Sequence, residues 1–380
     1  TGSNNVAVGY QSLQSNTTGS NSTAVGFMAM YTNSTGTGTA VGKYALYYSN
    51  GTANVAVGGN TGADTAALQN TTSGNYNTAI GVAALAQNTT AIKGTAIGYQ
   101  AGYSNTTSNY NTFIGAGAGY TSNATSTTSA ANTCVGHESG YSMTSGVGNC
   151  FVGPGNGSVS NAAGYAMTTG QLNTIIGGFT GNQGGLDIRT SNNQIVLSDG
   201  AGNPRARHNG SETWSLYSTT STGNRLEFDG NQFYPTPDNT IKLGFSSLRW
   251  TTVYATTGTI NTSDANQKQD IAALDDAEKR VAVAIKSLIK KYRFKDSVAE
   301  KGDAARIHVG AVAQEVAAAF VAEGLDPYRY ALFCSDTWYE VDGQAKGQDG
   351  FYTAETPNAV EVTRLGLRYE ELLAFVIAAI

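Results

Sequence analysis

The sequence predicts a mainly β protein: a stacked parallel β-roll or solenoid shaft, then a small β-module, then an α+β C-terminal domain. Three observations carry this prediction. A short apolar motif closed by glycine recurs through residues 1–183, hairpin signals fill residues 184–262, and residues 263–380 regain ordinary charge and helical periodicity.

The repeat reads Asn-Val-Ala-Val-Gly at 5–9, Ser-Thr-Ala-Val-Gly at 22–26 and Asn-Thr-Ala-Ile-Gly at 77–81. Its anchoring glycines are Gly9, Gly26, Gly42, Gly58, Gly81, Gly98, Gly115, Gly136, Gly153 and Gly177, spaced 16 or 17 apart except for gaps of 23, 21 and 24. The residue before each glycine is Val or Ile, which predicts a buried column. The residue before that is mostly Ala, replaced later by Phe113, Cys134, Phe151 and Ile175. Asn stands four places before the glycine in seven of the ten units, so the asparagines are expected to ladder from coil to coil. Short β-prone segments that cannot bury their faces alone must stack. At a strand spacing of about 4.8 Å, nine steps give a rod of roughly 43 Å. Coils this poor in large side chains offer a thin core, so several chains, three in this reading, are expected to share one interior.

Composition narrows the function. Residues 1–183 carry only Lys43, Asp64, Lys93 and Glu138 as charged side chains, and the net charge of −5 belongs wholly to residues 263–380. No segment is basic, so nucleic acid is not an expected partner. The longest apolar run, Leu372–Ile380, is far short of the ~20 residues of a bilayer-spanning helix, so no membrane span is expected. The first residues lack an initiator Met and a signal peptide and read as a cut piece of a longer chain. Cys134, Cys150 and Cys334 form no C-x-x-C pair; Cys134 sits in the small column and reads as a packed thiol. His137 and Glu138 follow a turn glycine without further metal-ligating neighbours, so neither metal nor cofactor is expected. A glycan hydrolase needs paired carboxylates, but Asp64 and Glu138 fall about four coils apart, so the shaft reads as non-enzymatic. Tyr99, Tyr103, Tyr110 and Tyr120 are candidates either for stacking on sugars or for packing.

In the middle segment, alternation at Gln194–Ser198, Thr213–Tyr217 and Arg225–Phe228, with turns at Asp199-Gly200 and Asp229-Gly230, predicts antiparallel hairpins. After Ser263, Asp275 and Glu278 form a capping box for a helix through Ala277, Val281, Ile285, Leu288 and Ile289, to about Lys291. A second helix is expected from about Ala311 through Val316 and Phe320 to a stop at Gly324. A third starts near Tyr369 and places Leu372, Leu373, Val376, Ile377 and Ile380 on one stripe, read as the start of a coiled coil covered by other copies.

Two resemblances follow from these motifs. The Asn-x-Ala-[Val/Ile]-Gly-x-x-Ala columns resemble the head repeats of trimeric autotransporter adhesins and similar coils of phage tail fibres, which implies a left-handed parallel β-roll of three chains side by side. The set Asn239–Gly244, Leu248-Arg249-Trp250, Tyr254-Ala255, Ile260–Asp264 and Lys268, with His308–Val316 and Tyr369–Leu372, resembles the intramolecular chaperone of endosialidases and phage tail fibres. That resemblance implies a domain which assembles three chains and then releases itself by cutting before a serine. Carried onto this sequence, the bond is Thr262–Ser263, Ser263 is the nucleophile, Lys268 is the base or activator, and Asp264 helps orient the site. His308, Gln314 and Glu315 fit the pattern as supporting residues. A serine hydroxyl needs a neighbour to take its proton, and a lysine does so only when burial disfavours its charged form. Burial at a trimer contact would supply this, so cutting is expected to be gated by assembly.

The combined expectation is a homotrimeric tail fibre or tailspike fragment of a phage virion, made in the host cytoplasm. It would join other virion tail proteins and attach to a host-surface glycan or protein receptor. A bacterial trimeric surface adhesin and the non-enzymatic part of a glycan-degrading tailspike are the alternatives.

Overall fold

The computed structural model describes residues 2–62, 64–124, 129–155, 161–218, 223–238, 240–244, 247, 248, 250, 266, 268–347 and 350–379. The chain divides into two compact units, residues 1–241 and 242–380.

All ten glycine-anchored motifs form strands. They are β1 (Val6–Val8), β2 (Thr23–Val25), β3 (Gly38–Val41), β4 (Asn54–Val57), β5 (Thr78–Ile80), β6 (Thr95–Ile97), β7 (Thr112–Ile114), β8 (Thr133–Val135), β9 (Cys150–Val152) and β10 (Thr174–Ile176). Each pairs in parallel with the next, and the register is that of the sequence columns: Ala24 opposes Ala40, Ala96 opposes Phe113, and Ile97 opposes Ile114. The anchoring glycines are required where coils touch. At Gly98, φ is +135°, and a Cβ would lie about 2.6 Å from the Gly115 carbonyl of the next coil. No side chain fits there without separating the coils.

The structure corrects the expected sense of burial. The Ala column points inward and is fully buried from Ala24 through Phe113, Cys134, Phe151 and Ile175. The Val/Ile column points outward: Val8 is 54% exposed, Ile97 37% and Ile176 47%. Successive residues of a strand face opposite sides, and the coil interior takes the smaller set. Larger interior side chains come from the turn that follows, where Met30, Leu46, Leu68 and Leu85 are fully buried. Where the strand itself supplies Phe113 or Phe151, the same turn position becomes Gly102, Gly119, Gly140 or Gly164, and a Cβ there would run into those rings or, at Gly140, the Cys134 sulfur. Burial pushes the Cys134 thiol far above its ordinary pKa, in keeping with a packed, unreactive group.

The asparagine column forms the expected ladder, but mainly through the backbone. Asn54 Oδ1 accepts from the Asn77 N–H (2.9 Å), Asn111 Oδ1 from the Asn132 N–H (3.0 Å), Asn132 Oδ1 from the Asn149 N–H (3.0 Å) and Asn149 Oδ1 from the Asn173 N–H (2.9 Å). Each buried amide also donates sideways, as Asn132 Nδ2 does to Gly146 O at 2.9 Å. Among the described residues, the Asn54–Asn77 and Asn132–Asn149 steps of this column add an amide-to-amide bond.

After the short hairpin β11 (Asn182–Gln183) and β12 (Leu186–Asp187), the sheet continues through β13 (Ile195–Ser198), which pairs in parallel with β10. It then turns antiparallel through β14 (Pro204–His208), β15 (Thr213–Tyr217), β16 (Arg225–Asp229) and β17 (Gln232–Thr236). The hairpins expected in this segment are present, with two further strands, β14, hidden by its proline and arginines, and β17, hidden by its proline. Asp199 holds the β13–β14 turn: it accepts the Asn203 N–H at 2.9 Å and pairs with Arg205 at 2.6 Å. Those bonds, from Asn203 above all, lower its carboxyl to a pKa of about 2.

In the second unit, α1 (Asp276–Lys286) carries the expected capping box, with Asp275 and Glu278 each accepting at 2.8 Å. It ends earlier than the periodicity suggested, because residues 290–292 form β18 (Lys290–Tyr292), paired with β19 (His308–Gly310). Between these strands lies α2 (Lys295–Lys301). The expected second helix is α3 (Ala313–Ala322), stopped at Gly324, where φ is +73°. A long hairpin follows, made by β20 (Phe333–Glu340) and β23 (Val360–Leu367), with β21 (Lys346–Gly347) and β22 (Gly350–Phe351) between them in sequence.

The last helix, α4 (Tyr369–Ile377), splits the apolar stripe read from the sequence. Leu372 and Phe375, with Val376 and Ala379, pack onto Val281, Ile285, Val316 and Phe320, while Leu373 (56%) and Ile377 (65%) are exposed. The domain's own core thus takes one side of the helix, and Ile380 lies outside the described residues. No helix among the described residues is long and apolar enough to cross a membrane.

Removing the amide of Asn132 strands the Asn149 N–H and the Gly146 carbonyl inside the shaft. At about 1–3 kcal/mol per buried unsatisfied group, Asn132→Ala is expected to lower the shaft's melting temperature by several degrees relative to Gln171→Ala, a substitution at an exposed position. In the second unit, the Tyr330 hydroxyl donates to Glu278 at 2.8 Å, and burial first, then that carboxylate, pushes its pKa up to about 12. The folded unit therefore keeps this proton above the ordinary tyrosine value of ~10. Its contribution is complete below pH ~10 and is lost as pH rises through about 12. Chemical denaturation at stepped alkaline pH is expected to show this loss in the parent and a shallower one in Tyr330→Phe.

Candidate functional site

Thr262, Ser263 and Asp264, the residues on which the cleavage motif rests, lie outside the described residues. Lys268 is described and is exposed in the single chain.

The three supporting residues group around β18, β19 and the start of α3. His308 opposes Tyr292 across the β18–β19 pair; its ring stacks on Tyr292 at 5.9 Å and meets the edge of Phe294 at 4.9 Å. Gln314 is exposed in the first turn of α3. Glu315, next to it, accepts a charge-assisted bond from Lys290 Nζ through Oε1 at 2.6 Å, while its buried Oε2 has no hydrogen-bond partner among the described residues. A carboxylate at a helix N-terminus is stabilised by the helix dipole, and the ion pair ties β18 to α3. These contacts fit a role in holding the strand pair against the helix.

The structure also explains why two distant motifs travel together. The Tyr369 hydroxyl, at the start of α4, occupies the place where a Cβ on Gly310 would lie, and it donates to the Ala311 carbonyl at 3.3 Å. Burial, followed by a hydrogen bond with Tyr369, raises the Tyr292 pKa. Tyr369 therefore joins β18, the β19–α3 connection and α4, and this requires glycine at 310. The role of Tyr369 was not legible in the sequence, although its motif was.

Among the described residues there is no group of three or more His, Cys, Asp or Glu side chains placed to hold a metal ion. His137 and Glu138 stand alone as a pair, 3.9 Å apart. Asp64 lies in the loop after β4 and accepts a hydrogen bond from the Tyr99 hydroxyl at 3.1 Å. Tyr103 and Tyr120, read as sugar-stacking candidates, instead stack on each other, and the column continues through Tyr141 and Tyr165 at 4.9–5.3 Å. Tyr110 lies under Lys93, whose Nζ is 5.4 Å from the ring centre.

Residues 263–325 match the family described as Chaperone of endosialidase. The side tail fiber protein pb1 of Escherichia phage T5 is 41% identical over 106 residues, 28% of this chain and 7% of that protein. The tail spike protein of Escherichia virus K5 is 30% identical over 205 residues, 54% of this chain and 29% of that protein. A solved structure of the carboxy-terminal domain of the bacteriophage T5 L-shaped tail fiber with its intramolecular chaperone domain aligns at 29% identity over 44% of this chain and 42% of that one, with a TM-score of 0.32. The chain spans less than a third of the length of either relative. Residues 263–325 form a chaperone-of-endosialidase domain, and the chain that carries it is a relative of phage tail fibre and tail spike proteins.

Proposed function

We propose that the chain is a homotrimeric part of a phage tail fibre or tail spike that attaches the virion to the host surface. Its C-terminal domain assembles the trimer and then severs the Thr262–Ser263 bond. The observation that carries the reading is that the match to the chaperone family begins at Ser263, the residue that the motif marks as the first after the cut.

Trimerisation is supported by the outward Val/Ile column. Parallel stacking converts ten separate side chains into one continuous apolar stripe along the shaft, and burying apolar surface is the main drive for association. Leu373 and Ile377, exposed four residues apart on α4, give the second unit an apolar edge of its own. Second and third copies are the proposed cover for both.

In the proposed cut, Ser263 Oγ attacks the Thr262 carbonyl carbon. A C–O bond forms, the C–N bond breaks, and the hydroxyl proton passes through Lys268 to the departing nitrogen. Water then hydrolyses the ester, leaving a Thr262 carboxylate and restoring the Ser263 hydroxyl behind a new amino terminus. The nucleophile and the carbonyl belong to adjacent residues, so proximity is already built in, and what remains to be supplied is a proton acceptor. Lys268 is exposed in the single chain, so the reading places its activation at a contact between copies, where burial disfavours the charged ammonium. Asp264 orients the site in this reading, and His308, Gln314 and Glu315 support the β18–β19 pair and the start of α3.

Parent chain, Ser263→Ala and Lys268→Ala are to be expressed side by side and resolved on denaturing gels, with the fragments sequenced from their amino termini. The parent is expected to yield a fragment beginning at Ser263, and the two variants to stay whole. Identical behaviour of parent and Ser263→Ala would end the cleavage reading.

A further inference from the structure

The shaft carries a column of tyrosines, each directly after the inward turn position held by Met30, Leu46, Gly102, Gly119, Gly140 or Gly164. Tyr31 stacks on Tyr47 at 5.1 Å, and from Tyr103 to Tyr165 every ring stacks on the next. Between these runs the column is broken: Gln69 and Ala86 stand where tyrosines would. The break coincides with the enlarged turn after β4, where the anchoring glycines are 23 apart instead of 16 or 17. Here the surface opens into a pocket of about 240 Å³ lined by Tyr44, Tyr47, Tyr48, Asn60 and Gln69.

The walls of this pocket are pre-arranged. Tyr47 is fixed edge-on to Tyr44 (5.3 Å) and to Tyr48 (4.5 Å), which leaves Tyr48 48% exposed as a ring platform. The two amides are oriented by the backbone: Asn60 Oδ1 accepts the Gly62 N–H at 2.7 Å, and Gln69 Oε1 accepts the Ala66 N–H at 2.8 Å. Their oxygens being occupied, Asn60 Nδ2 and Gln69 Nε2 remain as donors with no partner among the described residues. The Asn60 N–H is itself bonded to the Lys43 carbonyl at 2.8 Å, so the loop is anchored to the coil below.

We infer that this pocket binds one pyranose unit of a glycan. A pyranose has an apolar C–H face that suits an aromatic platform and a rim of hydroxyl oxygens that accept from amide N–H groups. Sites for drug-sized ligands usually run ~300–1,000 Å³, so a space of 240 Å³ suits a single ring. The inference deepens the attachment reading and rests on it. It also gives the enlarged turn a use, since that turn carries Asn60 to the edge of the pocket. Binding by one such pocket is weak, and several copies on one fibre raise it through avidity.

The test applies the full chain to matrices bearing glucose, galactose, mannose, rhamnose, N-acetylglucosamine, N-acetylgalactosamine or glucuronic acid, beside Tyr48→Ala, Asn60→Ala and Tyr48→Phe. Retention is expected on at least one matrix. It should fall by ~10-fold or more in Tyr48→Ala and Asn60→Ala, at unchanged melting temperature, and be kept in Tyr48→Phe, which preserves the ring. Absence of retention on every matrix, or equal retention by parent and Tyr48→Ala, would overturn the inference. Adsorption of the same proteins to intact Escherichia and Klebsiella cells separates the two readings. Cells bound equally by parent and Tyr48→Ala would sink the pocket and leave attachment standing, whereas cells bound by neither would sink attachment itself.

Discussion

The fold rests on backbone approaching backbone at the glycine anchors. In each coil the anchor sits against the carbonyl of the next coil at a distance that no Cβ allows, as at Gly98 over Gly115 and Gly81 over Gly98. Once those contacts are fixed, the strands can pair only in register, and register puts like residues above like. The fully buried alanine column, the asparagine oxygens that receive the next coil's N–H groups, and the stacked tyrosines all follow from that alignment. One misplaced residue between anchors would turn a strand's inner face outward. Extra residues are therefore confined to turns, such as the one that carries Asn60 and Asp64.

Inside the shaft, volume is shared between two positions per coil. The strand alanines of the early coils go with Met30, Leu46, Leu68 or Leu85 in the turn, and each strand phenylalanine meets glycine in its own turn and in the turn of the coil before, Gly119 and Gly102 at Phe113, Gly164 and Gly140 at Phe151. The interior thus stays close-packed while neither column keeps its residue type, as the density of protein interiors requires. These interior side chains are buried within the single chain. The apolar side chains left over, the Val/Ile column, lie on the outside, and it is these that other copies are proposed to cover.

Much of this was legible in the sequence, because a repeat writes its physics many times over. Ten glycines marked ten strands, the Asn column marked a ladder, and Asp275 with Glu278 marked a helix start. What the pattern did not give was direction. Alternation says that Ala and Val face opposite ways; which way is inward depends on how narrow the coil is, and Val8, Ile97 and Ile176 turned out to face outward. In α4, spacing could not say that Phe375 would displace Leu373 from the core. Strand β14 was hidden by its proline and arginines, and β17, the last strand of the sheet, by its proline. The exchange of leucine for glycine against phenylalanine links residues in different columns, so a reading column by column passes over it. The cleavage motif was legible only as a resemblance, since the letters Ser-Asp by themselves read as well as a turn or helix cap.

The outward apolar column is proposed as an interface between copies of this chain, and sedimentation equilibrium on the intact Ser263→Ala chain measures that directly. A single species with the mass of three 39.4 kDa chains, unchanged on dilution, is the expected result. A single-copy particle at all concentrations, with the shaft folded, would contradict it.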